Sequence, residues 1–213
     1  MSALLTQHAA HSTQLSGAPA PVTAVILAGG LGRRMGNVDK GLQLLDGRPL
    51  AGRVLQRVAP QAAEILINAN RNQAAYAAFG YRVIEDRIGG FAGPLAGMHA
   101  GLSEAAHELV AFAPCDTPFL PENLISRLLA PLADERVDVS VAKTGTQLHP
   151  VICIARRRLL AQLAAFLDGG GRKVDAWYST LNVTQQAFDE QPGAFRNINT
   201  AEELRATNID TDR

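Results

Sequence analysis

An α/β fold, a mostly parallel central sheet covered by helices on both faces with a small antiparallel addition, is what this sequence predicts. Three observations carry that expectation. From Val22 onward, short apolar runs alternate with segments whose apolar residues recur at three- and four-residue spacing. The first apolar run, VTAVIL, passes directly into the glycine-dense stretch AGGLGRRMG, as happens where the carboxyl end of a parallel strand opens on a ligand crevice. The length of 213 residues, 47% hydrophobic and 19% charged, suits one domain with a substantial core.

In chain order, strands are expected at VTAVIL, EILINAN, YRVIED and LVAFAPCD, each a short run rich in aliphatic residues and bounded by turn formers. Between them, PLAGRVLQRVAP, NQAAYAAFG and GPLAGMHAGLSEAAHE line apolar residues along one helical face, as crossover helices do. After Pro121, ENLISRLLAPLA reads as a further helix. VDVSVAK and HPVICIAR follow, separated by the turn-rich TGTQ, which predicts a hairpin added to the parallel core. RRLLAQLAAFL is the next helix, and GGGRK breaks it. KVDAWYSTL predicts a short helix and TQQAFDEQ a late strand. Thr200 and Glu203 stand three positions apart, as in a capping box that starts a last helix. Residues 1–20, without Lys or Arg or a continuous apolar segment, are expected to form a disordered leader and not a signal peptide, with a single domain over 21–213.

Composition narrows the function classes. Formal net charge is zero, so no overall basic field points to nucleic acid. No apolar run is long enough to cross a bilayer, and a cytoplasmic location is expected. The two cysteines, Cys115 and Cys153, lack ligand-like spacing and read as packed free thiols.

The stretch VILAGGLGRRMGNVDKGL holds five glycines, two arginines and a lysine. Glycines after a strand let backbone N–H groups turn toward an anion, and Arg34 and Lys40 supply charge for phosphate oxygens. Two familiar phosphate loops do not match. A dinucleotide fingerprint starting at Gly30-x-Gly32 needs glycine at 35, where Met35 stands. A P-loop needs glycine before its lysine and Ser or Thr after it, whereas Lys40 lies between Asp39 and Gly41.

LAGGLGRRMGNVDKGL resembles the signature of the nucleotidyltransferases of Rossmann-like fold that use a sugar- or cofactor-phosphate as acceptor. Within that group, LAGG combined with R-M-G-x-x-D-K-G is similar to the molybdenum cofactor guanylyltransferases. Sugar pyrophosphorylases and cytidylyltransferases more often carry a Pro-Lys pair in place of Asp39-Lys40. The likeness continues in order through INANRN (67–72), VIED (83–86), GPLAGM (93–98), PCDTPFLP (114–121), HPV (149–151), GGRK (170–173) and FRNINTAEEL (195–204).

The resemblance implies a three-layer Rossmann-like fold and Mg²⁺-dependent transfer of GMP from GTP to the terminal phosphate of molybdopterin, releasing pyrophosphate. Its partners would be GTP, the molybdopterin cofactor, and other cofactor-biosynthesis proteins or molybdoenzyme chaperones. A cytidylyltransferase or sugar-phosphate nucleotidyltransferase of the same fold is one competing reading; a nucleotide-binding module without turnover is another. Asp116, at the end of an apolar strand and followed by Thr117-Pro118, would hold Mg²⁺ against the triphosphate, with a helix-cap role as the alternative. Lys40 would neutralise the triphosphate, and Arg34 would stabilise the departing pyrophosphate. Backbone groups of Leu27, Ala28, Gly29, Gly30 and Gly32 would line base, ribose and phosphates. Asn68 and Asp86 would contact guanosine, although capping a turn is a competing role for each. Pro94, Leu95, Gly97, Arg172, Lys173, Asn197 and Asn199 are implied on the pterin side. For the first three, plain packing is an adequate alternative, and Asn199 has helix capping as its alternative. His149 is read as a hydrogen-bonded structural residue and is not assigned as a base.

Overall fold

The computed structural model describes residues 20–29, 39–88, 93–200 and 202–204. The expected leader therefore lies outside the described residues, apart from Ala20, and so do Gly30, Gly32 and Arg34.

The described chain runs β1 (Val22–Leu27), β2 (Leu44–Leu45), β3 (Arg48–Pro49), α1 (Leu50–Val58), β4 (Glu64–Asn68), α2 (Gln73–Ala77), β5 (Arg82–Ile84), α3 (Pro94–Glu104) and β6 (Leu109–Pro114). It continues through α4 (Leu124–Leu129), β7 (Val139–Thr144), β8 (Gln147–Arg156), α5 (Leu160–Asp168), α6 (Val174–Tyr178) and β9 (Val183–Ala187). Seven strands form one sheet in the order β5-β4-β1-β6-β8-β7-β9. β5, β4, β1 and β6 are mutually parallel. β8 runs against both β6 and β7, and β9 pairs parallel with β7, so one strand of the seven is reversed.

Period-two alternation sends side chains to two cores. Along β1, Val22, Ala24 and Ile26 pack against α1 and α4, whereas Val25 joins α3 and α5 on the opposite face. β6 divides likewise, Leu109, Ala111 and Ala113 to one side and Val110 and Phe112 to the other. Trp177, Tyr76, Phe112 and Phe188 are among the largest fully buried side chains, each removing enough apolar surface to contribute on the order of 1.5–3 kcal/mol. This is the expected three-layer arrangement. The TGTQ hairpin forms as β7 and β8, and β8 slots in beside β6 while β7 lies beyond it.

One element was not expected. β2 and β3 form a separate two-stranded antiparallel ribbon, turned by Asp46 and Gly47 at φ +46° and +71°. The Asp-Gly dipeptide favours such a turn because both central residues need positive φ. The ribbon, α1 and the late segment meet in a small core of Leu45, Leu50 and Ile198. The expected capping box also forms: Glu203 N–H donates to Thr200 Oγ1 at 3.0 Å, and Thr200 N–H donates to Glu203 Oε2 at 3.2 Å.

Candidate active site

Register fixes the site's floor. Leu27 lies opposite both Asn68 and Pro114, so β1, β4 and β6 end on one line, and Gly29, Asn70 and Asp116 emerge from the same edge. Two clusters of polar side chains gather there.

The first surrounds Asp86. Asn68 Nδ2 donates to Asp86 Oδ1 at 2.9 Å and Asn70 Nδ2 to Asp86 Oδ2 at 2.7 Å, while Asp86 N–H donates back to Asn70 Oδ1 at 2.8 Å. A carboxylate only accepts, so this geometry fixes both carboxamide orientations. Among the described residues, neither Asn68 nor Asp86 uses its side chain to cap a turn. Asn68 is only 2% exposed, and its amide sits between two glycines. A Cβ at Gly29 would approach Asn70 Nδ2 to 3.0 Å, and one at Gly97 would overlap Asn68 Oδ1. The two backbones can close over the carboxamide only because neither position has a side chain. Each Asp86 oxygen keeps lone-pair capacity for a further donor.

The second cluster joins three distant parts of the chain. Lys40 follows Asp39 at the start of a short 3-10 turn, and its Nζ lies 3.3 Å from Asp116 Oδ2 and donates to Asn199 Oδ1 at 2.7 Å. Ile198 N–H donates to Asp116 O at 2.8 Å, and Thr117 Oγ1 to Asn197 Oδ1 at 2.7 Å, so the late segment is clipped to the end of β6. Burial raises the Asp116 pKa, and Lys40 opposes that shift without cancelling it. Asp116 Oδ1 is buried with no hydrogen-bond partner among the described residues. Such an oxygen suits a hard cation such as Mg²⁺, which takes few protein carboxylates and completes its shell with phosphate oxygens and water. Among the described residues, no group of three or more His, Cys, Asp or Glu is gathered to hold an ion unaided.

The remaining sequence-derived candidates separate. Pro94 is exposed at the first position of α3, after Gly93 at φ +61°. Leu95 is fully buried in the core and offers a ligand only its backbone. Gly97 serves the Asn68 seat. Arg172 Nη1 donates at 2.7 Å each to Leu167 O, in the last turn of α5, and to Gly171 O in the loop that follows, and Lys173 is exposed beside it. Asn199 stands with Lys40 and Asp116, at what would be the phosphate end of the site. His149 matches its structural reading: Nε2 lies 2.8 Å from Thr144 Oγ1, the ring stacks on Phe195 at 4.8 Å, and burial lowers its pKa.

Sequence reasoning gave no role to Asn70, Thr117, Asn72 or Tyr76. Asn70 and Asn72 sit within the quoted INANRN, yet spacing does not reveal that one faces Asp86 and the other Asp39.

Residues 24–183 match the MobA-like NTP transferase domain. A molybdenum cofactor guanylyltransferase from Shewanella halifaxensis is 47% identical over 184 residues, spanning 86% of this chain and 92% of that protein. One from Cupriavidus pinatubonensis is 46% identical over 189 residues, spanning 86% and 94%. The crystal structure of molybdopterin-guanine dinucleotide biosynthesis protein A from Archaeoglobus fulgidus superposes with a TM-score of 0.74 at 23% identity, covering 89% of this chain and 98% of that one, a likeness of fold. By sequence and architecture, the chain belongs to the MobA-like NTP transferases, in the family of the molybdenum cofactor guanylyltransferases.

Proposed function

We propose that this chain transfers GMP from GTP to the terminal phosphate of molybdopterin, forming the guanine dinucleotide and pyrophosphate. The convergence of Lys40, Asp116 and Asn199 on the carboxyl edge of the sheet, a few residues from the glycine-rich stretch, carries the reading. The names of the relatives that match over most of the chain support it.

A phosphate monoester oxygen is already largely anionic at neutral pH, so the nucleophile needs no strong general base. The protein's task is to bring two anions together. The acceptor oxygen attacks the α-phosphorus of GTP, and the bond to the β-phosphate oxygen breaks, releasing pyrophosphate. Lys40 has three N–H donors, two of which face Asp116 and Asn199, and the third is available to the triphosphate. Asp116, with its unpartnered Oδ1, would hold Mg²⁺, which when bound neutralises phosphate oxygens. Arg34 would meet the leaving group. Leu27, Ala28 and Gly29, with Gly30 and Gly32, would line the nucleotide. Asp86, held by Asn68 and Asn70, is suited to accept from the N1–H and exocyclic amine of guanine. Pro94, Gly97, Lys173 and Asn197 remain the proposed pterin side, in a cytoplasmic enzyme of one domain. No described helix is long and apolar enough to cross a membrane.

Incubation of the purified protein with each nucleoside triphosphate, Mg²⁺ and molybdopterin, with the product identified by mass, tests the reading. The expected product is the guanine dinucleotide, formed with GTP alone. A cytidine or adenine dinucleotide, or no product with active molybdopterin, would overturn it.

A further inference from the structure

Lys40 is flanked by two residues that meet a different element, α2. Tyr76 is fully buried in the middle of α2, and its hydroxyl donates to Asp39 Oδ1 at 2.5 Å. Asn72 Nδ2 donates to Asp39 Oδ2 at 3.0 Å. Both carboxylate oxygens preceding Lys40 are thus engaged from α2, across 37 and 33 positions of sequence. On the other flank, a Cβ at Gly41 would overlap that same Tyr76 hydroxyl and come within 3.2 Å of Cys115 Sγ.

Two details set this apart from ordinary packing. Asn72 occupies the N-cap position of α2, where an Asn side chain normally accepts from its own helix. It makes no such bond. Its backbone is left-handed at φ 52°, and its amide reaches Asp39 instead. Tyr76 carries a polar tip into a buried position, where a phenylalanine would avoid the cost of desolvating the hydroxyl unless a partner repaid it. Burial raises the pKa of that hydroxyl far above its ordinary value, so it remains a donor throughout the working pH range.

We propose that Tyr76 and Asn72 are positioning residues: they clamp Asp39 so that the Asp39-Lys40-Gly41 segment is fixed on both sides of Lys40 and its ammonium is held at Asp116. The clamp rests on the reading of Lys40 as a triphosphate ligand, and it adds that α2, which contributes none of the proposed nucleotide ligands, sets that lysine's position. A long flexible amine approaches phosphate with less entropy loss when the backbone at its root is immobile.

The test uses Tyr76→Phe, Asp39→Ala and the double variant in the full chain. Hydrogen exchange without ligand reads the clamp directly. In Tyr76→Phe, the amides of Leu42 and Gln43, which bond to Asp39 O and Lys40 O, should exchange at least about tenfold faster, while β6 and α1 keep wild-type protection. In the guanylyl-transfer assay, kcat should fall about tenfold or more with the KM for molybdopterin unchanged, and the double variant should be no slower than Asp39→Ala alone, since Tyr76 acts through Asp39. Wild-type exchange at residues 42–43 in Tyr76→Phe would overturn the clamp, as would losses that multiply in the double variant or exchange that rises uniformly through the molecule. If the wild-type protein makes no guanine dinucleotide, the functional reading fails, and the exchange experiment still decides the clamp.

Discussion

Gly97→Ala sets two opposing effects against each other at the seat of Asn68. An alanine in mid-helix is favoured over glycine by up to about 1 kcal/mol. Against this, the added methyl would overlap Asn68 Oδ1 and lie 2.9 Å from Leu27 Cδ2 and 3.1 Å from Asn68 Cγ. Asn68 is held by its bond to Asp86 and is almost wholly buried, so it has nowhere to rotate without giving up that bond. Overpacking of this kind costs about 1–3 kcal/mol, so the net loss is about 0–2 kcal/mol, or up to roughly 8 °C in Tm for a domain of this size. Gly101→Ala, one turn further along α3, is the control. Its methyl would meet Phe112 Cε1 at 2.7 Å and Val25 Cγ2 at 2.9 Å, a similar insult in a purely apolar setting. Thermal unfolding of both variants and GTP titration by calorimetry separate the consequences. Both should melt lower than wild type. Gly97→Ala alone should also lose about tenfold in GTP affinity, the worth of roughly one displaced hydrogen bond. A Tm for Gly97→Ala above wild type, or equal losses of GTP affinity in the two variants, would refute the reasoning.

Asp116→Asn should lower pyrophosphate release by about 100-fold or more, as loss of a charged phosphate-site group does, and near-normal release would remove Asp116 from the chemistry. The same variant should melt higher than wild type at neutral pH, because burial raises the Asp116 pKa and makes its ionised form costly in the folded chain. That advantage should be full above the raised pKa and vanish below the ordinary value of 3.8, where the carboxyl is protonated in both folded and unfolded chains; a pH-independent Tm difference would contradict it. Arg156 is buried and donates to Leu132 O and Val137 O at 2.8 Å and to Asp134 O at 3.2 Å, so Arg156→Ala should shift the urea midpoint by the equivalent of about 2–4 kcal/mol, and a change under about 1 kcal/mol would mean that water replaces the guanidinium. His149→Phe keeps the stack on Phe195 and should cost less than about tenfold in kcat, against the 10²–10⁴ expected of a general base.

The parallel core was legible because its signal is local. Each of VTAVIL, LVAFAPCD and the segments between them declares its period within a dozen residues, and strand ends follow from where the apolar run stops. Asp116 and Asp86 were found at strand ends for the same reason. The β2 and β3 ribbon escaped notice because it is only two residues a side, although Asp46-Gly47 announced its turn. The position of β8 was not legible either: a hairpin pattern gives pairing between neighbours but not which partner lies beyond, and here β6 takes that place. Arg172 illustrates the limit for charges. The resemblance implied it on the pterin side, and nothing in its spacing revealed that the guanidinium donates to Leu167 O, in the last turn of α5, and to Gly171 O. The resemblance implied Asn199 on the pterin side, and its contact with Lys40, 159 positions earlier, is a tertiary one that no local pattern carries.

That 159-residue span has a temporal meaning. During synthesis the lysine and the β6 aspartate both emerge well before the segment that fastens them, and a nascent chain folds its early units first. Until Asn197, Ile198 and Asn199 leave the ribosome, the half-made protein presents its cation and its anion without the clasp at the end of β6. The lysine's second partner is thereby supplied last, after every strand of the sheet has been made.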